Sequence, residues 1–182
     1  LFGNRNYDDA LAELQALLGE DGFLPVAAGA FVGEHSFSRI LGAGRPDDKD
    51  MVVIHEFVKK IYEKISSTGE RESYQPLNVG GEYPSKGYYQ PRDRQGNPVD
   101  IRKVKPKTSE ACDDCKLCAK VCPMGSISYD DVREFTGICI KCGSCIKKCP
   151  TGAKYYDAES YLYHQHELEE EYTRRAEPSL FI

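Results

Sequence analysis

C-D-D-C-K-L-C-A-K-V-C-P, from Cys112 to Pro123, and C-I-K-C-G-S-C-I-K-K-C-P, from Cys139 to Pro150, are one pattern written twice. Each reads Cys-x2-Cys-x2-Cys-x3-Cys-Pro, and the second copy follows the first at an offset of 27 residues. The likeness runs past the cysteines, since Lys120 matches Lys147, Gly125 matches Gly152 and Tyr129 matches Tyr156. An internal duplication of this kind is one structural unit used twice. All 8 cysteines of the 182-residue chain lie inside the two runs.

The spacing has a physical cause. A [4Fe–4S] cluster needs four thiolates at its iron corners, and a short Cys-x2-Cys-x2-Cys loop wraps three of them. The fourth Cys, followed by Pro, leads away toward the other cluster, so the ligation is crossed. Cys112, Cys115, Cys118 and Cys149 are the expected ligands of cluster one. Cys139, Cys142, Cys145 and Cys122 are those of cluster two. Two such clusters would staple the halves together, and neither half should fold alone. Structural zinc usually takes two Cys pairs a dozen or more residues apart, whereas here three Cys fall within seven positions. A disulfide framework suits a small secreted chain, and nothing here indicates export. Free buried cysteines would not repeat with this period.

Ile138, Ile140, Ile146, Val121, Leu117 and Ile127 are the expected apolar shield of the clusters. Gly143, after the middle Cys of the second loop, suits a backbone that turns an amide toward sulfur, and Lys116 holds the same place in the first. Asp113 and Asp114 put negative charge near cluster one, while Lys141, Lys147 and Lys148 put positive charge near the second loop. Cluster potentials respond to such charge, so cluster one is expected to have the lower potential.

Outside the cysteines the chain is ordinary globular chemistry, 40% apolar and 29% charged. It has no run approaching 18 apolar residues, which excludes a membrane-spanning helix, and no basic stretch followed by an apolar one at its start. A net charge of −5 argues against nucleic acid as a partner. Residues 1–66 carry 7 basic and 11 acidic side chains, and 157–182 carry 2 and 7. The cysteine-bearing block 107–156 is mildly basic, with 8 and 6.

Within 1–66, Asp8 to Leu18 predicts a helix with Leu11, Leu14 and Leu18 on one face and Gly19 as its stop. Phe23 to Val32 has few polar atoms and no alternation, as a strand covered on both faces would. Asp47 and Asp48 open a second helix with the stripe Met51, Ile54, Val58, Ile61 and Ile65, and its late Lys59, Lys60 and Lys64 agree with the helix dipole. This is α/β grammar, but with only the stub Leu1-Phe2 beside the strand. The expectation is the second half of an α/β domain whose first half lies upstream, leaving an apolar face for self-association.

With both parts read, the chain resembles a family of bacterial and archaeal electron carriers that fuse a flavodoxin-like domain to a two-[4Fe–4S] ferredoxin domain. The residues that carry the resemblance are F-G-N-R-N-Y-D-D-A-L at Phe2–Leu11, A-A-G-A-F-V-G-E-H-S-F-S at Ala27–Ser38 and A-G-R-P-D at Ala43–Asp47. Both cysteine runs and R-R-A-E-P-S-L-F-I at Arg174–Ile182 complete the set. The resemblance implies an α+β chain: a two-[4Fe–4S] ferredoxin-like domain after an N-terminal α/β segment resembling the second half of a flavodoxin-like fold. It implies that Gly3, Asn4, Arg5 and Tyr7 lie beside a flavin ring, with helix capping the competing role for Asn4 and Asp8. It places the FMN phosphate loop upstream of Leu1 and so assigns FMN to the full-length protein. Ser66-Ser67-Thr68-Gly69 follows a helix, not a strand, and reads as a helix stop.

Four segments result: the α/β half-domain at 1–66, a Pro/Gly/Tyr linker at 67–106, the ferredoxin domain at 107–156, and an acidic helix with tail at 157–182. Tyr74, Tyr83, Tyr88 and Tyr89 give the linker rings with which to lie against a domain. Among the histidines only His35, in E-H-S, is a candidate for a site role. Tyr155 to Tyr172 reads as an exposed acidic helix, and Leu180-Phe181-Ile182 as a tail that packs back. The function expected is a low-potential one-electron carrier serving redox partner proteins, without substrate chemistry of its own. The alternative is a flavin-linked reductase component in which FMN exchanges electrons with the clusters. The clusters' need for reducing, low-oxygen surroundings implies the cytoplasm of an anaerobe.

Overall fold

The computed structural model describes residues 1–70 and 73–182; of the expected linker, 71 and 72 lie outside the described residues. The chain divides into two units. One comprises Leu1–His35, Ile40–Tyr88 and Tyr172–Ile182, the other Ser36–Arg39 and Tyr89–Glu171. The units thus follow space and not the four consecutive segments. Residues 67–88 go to the first, 89–106 to the second, and the tail returns to the first. Among the described residues no helix is long and apolar enough to cross a membrane.

In the first unit, helix α1 spans Ala10–Glu20 and runs through Gly19, the expected stop. The stop is Gly22, in the left-handed region at φ 81°. The Phe23 amide donates to Leu18 O at 2.8 Å and the Gly22 amide to Gly19 O at 3.0 Å, a Schellman closure that needs its left-handed residue at Gly22. Residues 77–88 lie along this helix. Gln15 Nε2 donates to Leu77 O at 2.6 Å, and the Glu82 amide and Ser85 hydroxyl both donate to Asp9, each at 3.0 Å. Tyr88 donates to Glu13 at 2.7 Å, so the linker tyrosine does serve as an anchor.

Strand β1 is shorter than expected, Ala28–Ala30. The expected parallel stub is present as a single bridge, Phe2 to Val32. The regular partner of β1 is antiparallel and comes from the tail: strand β4, Ser179–Phe181, pairs Ala28 with Phe181 and Ala30 with Ser179. The regular neighbour of the strand is therefore antiparallel and not parallel, because the chain's own tail fills one edge. The observed class is a mixture of helices and small sheets, α+β.

Helix α2, Asp48–Ser67, begins with a capping box: Asp47 accepts from the Lys49 and Asp50 amides at 3.1 Å, and Asp50 accepts from the Asp47 amide at 2.9 Å. Its buried face differs from the expected stripe. Phe57 is buried against Phe31, ring centres 5.9 Å apart, with Ile54 and Ile61 half-buried beside it. Met51, Val58 and Ile65 are exposed instead. The reason is Asp50, which is 1% exposed and ion-paired with buried Arg45; that pair turns its side of the helix inward.

In the second unit, strand β2 (Lys107–Thr108) pairs antiparallel with β3 (Lys154–Tyr155). Two four-residue helices, α3 at Leu117–Lys120 and α4 at Ser144–Lys147, pack together. Cys118, Ala119, Ile127, Val132 and Cys145 form the core between them, ringed by Cys112, Cys122, Phe135 and Ile146. Of the expected shield, Ile127 and Ile146 pack in or on this core, while Ile138 and Ile140, largely exposed on their outer sides, line the recess beside Cys139. Val132 and Phe135 add to that apolar surface.

Helix α5 spans Glu159–Glu171 and is not exposed all round, for Tyr161, His164 and Leu168 are buried along one face. Residues 36–39, expected with the α/β segment, pack on it. Phe37 meets the Tyr161 ring at 4.8 Å and Ser38 Oγ donates to Glu169 Oε1 at 2.6 Å, while Arg39 Nη2 donates to Ile146 O of α4 at 3.0 Å.

Candidate metal centre

The duplicated sequence produces duplicated backbone. Left-handed residues stand at Asp114 (φ 58°), Lys116 (60°) and Gly125 (56°), and again at Lys141 (60°), Gly143 (70°) and Gly152 (67°). Each loop turns twice through this region around its middle cysteine and so brings three thiols to one side of a short chain. The hydrogen bonds repeat as well. Lys120 N to Lys116 O at 3.1 Å answers Lys147 N to Gly143 O at 2.9 Å, and Gly125 N to Cys122 O at 3.1 Å answers Gly152 N to Cys149 O at 3.3 Å.

Four thiols meet at one cavity. Cys139, Cys142 and Cys145 of the second loop line a recess together with Cys122 from the first run. Pro123, Ile127, Phe135, Gly143 and Tyr156 complete much of its wall. In the other half Cys112 lies beside the Cys118 core, close enough for the two thiols to act on each other electrostatically. The β2–β3 pairing continues in a bond from the Ser109 amide to Ala153 O at 2.9 Å. It ties the stretch entering the first loop to the turn that follows Cys149. Among the described residues no three His, Cys, Asp or Glu side chains stand together as a site for one metal ion.

The cysteines differ in environment by rank. The third of each loop, Cys118 and Cys145, is buried at the start of its helix, and burial raises both thiol pKa values, that of Cys145 to about 11. The middle ones, Cys115 and Cys142, are exposed. The fourth ones receive amides from four residues on: the Ser126 amide donates to Cys122 Sγ at 3.4 Å, and the Ala153 amide acts likewise on Cys149. At Cys149 burial raises the pKa, but the Lys154, Thr151 and Ala153 amides and the Thr151 hydroxyl outweigh it and the thiol ends below its ordinary value. Amides aimed at sulfur favour the thiolate, the form that binds iron.

Lys154 is a residue that the sequence pattern did not bring forward. It is 2% exposed, donates to Val132 O, and stands 5.3 Å above the centre of the Phe135 ring. Its charge lowers the pKa of both Cys118 and Cys145. A fully buried lysine needs negative charge nearby, and two thiolate-ligated clusters would supply it. Of the expected charges, Asp114 is paired with Lys116 at 2.8 Å, and Lys141 is buried with its ammonium on Arg102 O at 2.9 Å.

Residues 111–153 match the family model of the 4Fe-4S dicluster domain. This segment is a 4Fe–4S domain, and its chemistry is iron–sulfur electron transfer, which calls for redox partners. No curated protein and no solved structure matches the chain.

Gly3, Asn4, Arg5 and Tyr7, the expected flavin-side residues, have structural work. Asn4 is 3% exposed, and its Nδ2 donates to Tyr172 O and Arg174 O at 2.8 Å each while Oδ1 accepts the Ala176 amide at 3.1 Å. Arg5 pairs with Asp8, Tyr7 meets Phe2 edge-on at 5.4 Å, and a Cβ on Gly3 would press the His35 ring at 2.5 Å. His35 is thus the ring that fills the space above Gly3.

Proposed function

We propose that the protein carries electrons singly through two low-potential [4Fe–4S] clusters, with crossed ligation. Cys112, Cys115, Cys118 and Cys149 hold one cluster; Cys139, Cys142, Cys145 and Cys122 hold the other. The observation that carries this reading is the cavity where Cys122 joins the three thiols of the other run. When bound, the clusters supply one-electron chemistry; the chain's residues fix the thiols, exclude water and bias the charge. Cys115 and Cys142, the exposed members of each set, mark where a partner protein would approach most closely. Four thiolates per cluster support a low potential.

Iron content of serine variants tests the crossing. If Cys122 and Cys142 share a cluster, Cys122→Ser combined with Cys142→Ser loses no more iron than either alone, because both remove the same cube. Cys122→Ser with Cys115→Ser loses both. Equal losses from the two double variants would refute the crossing. A flavin spectrum that survives gel filtration of the same preparation would favour the flavin-linked alternative.

A further inference from the structure

Tyr156 and Tyr161 form a stacked pair, ring centres 3.9 Å apart and planes inclined by 33°. Tyr161 is 1% exposed, and the hydroxyls of both are buried with no hydrogen-bond partner among the described residues. A buried hydroxyl without an acceptor is costly, and two adjacent ones mark a place where the structure expects an acceptor. Tyr156 lines the same cavity as Cys122, Cys139, Cys142 and Cys145. The sulfurs of Cys139 and Cys145 both act on Tyr156 electrostatically, and Cys139 is the one its hydroxyl approaches.

We propose that the Tyr156 hydroxyl donates a hydrogen bond to the Cys139 sulfur once that thiolate ligates iron, and thereby raises the potential of this cluster alone. The proposal rests on the cluster reading above. A hydrogen bond to a ligating sulfur stabilises the more electron-rich, reduced state, so it moves the potential upward. The duplication supplies the control. Tyr129 holds the equivalent place after the first run, 27 residues earlier, yet it is 59% exposed. The same residue type is therefore a buried donor at one cluster and a surface side chain at the other, which makes the two cubes unequal. Tyr161 acts as a positioning residue, its ring holding that of Tyr156 against the cavity wall.

Potentiometric EPR of the full chain carrying Tyr156→Phe is the test. The ring and its packing are kept and only the donor is lost. The expected result is one midpoint shifted to lower potential, the other unmoved, and iron still at about eight per chain. Two unmoved midpoints, or two that fall together, overturn the proposal. Should Tyr156→Phe fail to retain both clusters, 3-fluorotyrosine placed at position 156 keeps every contact and makes a stronger donor. One midpoint should then rise, and an unmoved pair overturns the proposal equally. Wild-type protein free of iron and sulfide would sink the cluster reading itself, whereas loaded protein with indifferent variants sinks the tyrosine proposal alone.

Discussion

Lys116 and Gly143 take the same left-handed backbone conformation at equivalent places in the two cysteine loops, with φ of 60° and 70°. Glycine is needed at only one of them. A Cβ on Gly143 would overlap the Ser36 carbonyl oxygen, whereas Lys116 extends its side chain to Asp114. The segment 36–39 thus explains a difference between repeats that the cysteine spacing alone does not.

Gly143→Ala should therefore cost about 2 kcal/mol, from overpacking added to an unfavourable φ. Lys116→Gly removes a Cβ from the left-handed region and should leave stability unchanged or slightly higher, since its exposed ion pair contributes little. Thermal unfolding of the loaded protein reads both. Equal effects at the two positions would contradict the role given to Ser36.

Asn4→Ala should release the tail. Three hydrogen bonds to the 172–176 backbone, one buried and two part-buried, end with it, at about 1 kcal/mol each. Limited proteolysis should cut near Tyr172–Ala176 in the variant and not in the wild type. An unaltered pattern would show that the β1–β4 pairing holds the tail alone.

The Asp47 and Asp50 carboxyls are held below the usual carboxylate range, Asp47 chiefly by its hydrogen bonds from Arg175 and Asp50 chiefly by those from Arg45. A depressed folded pKa means stability that is present above the unfolded value, about 3.9, and lost as pH falls through the folded one. Asp50→Asn, which strands a buried arginine, should cost about 3 kcal/mol at pH 7. The melting-temperature gap between wild type and variant should hold from neutral pH down to about 4 and close below it. A gap that widens on acidification would reverse the sign assigned here.

Lys154→Met should lower both cluster midpoints, since one buried positive charge acts on Cys118 and Cys145 alike. The contrast with Tyr156→Phe, which should move one midpoint, separates charge from hydrogen bonding. Potentiometric EPR that shows a single shifted midpoint for Lys154→Met would contradict the shared position.

The 4Fe–4S segment was legible because its information is local: eight cysteines at fixed intervals, in a pattern written twice. What escaped was set by distant partners. The inward face of α2 is turned by Arg45 on Asp50, a pairing that apolar periodicity does not register. Strand β1 found its regular partner more than 140 residues away in the tail. Lys154 reads in sequence as one more surface cation, and Tyr156 as one of 12 tyrosines, until burial distinguishes them. Gly19 was a reasonable stop for α1 by composition, yet the left-handed position fell on Gly22.

Iron and acid-labile sulfide, measured per chain after anaerobic reconstitution of the wild-type protein, test the central claim most directly. The account predicts about eight of each, two cubes of four irons and four sulfides, in brown protein that dithionite bleaches. Colourless protein holding zinc and no sulfide would contradict it.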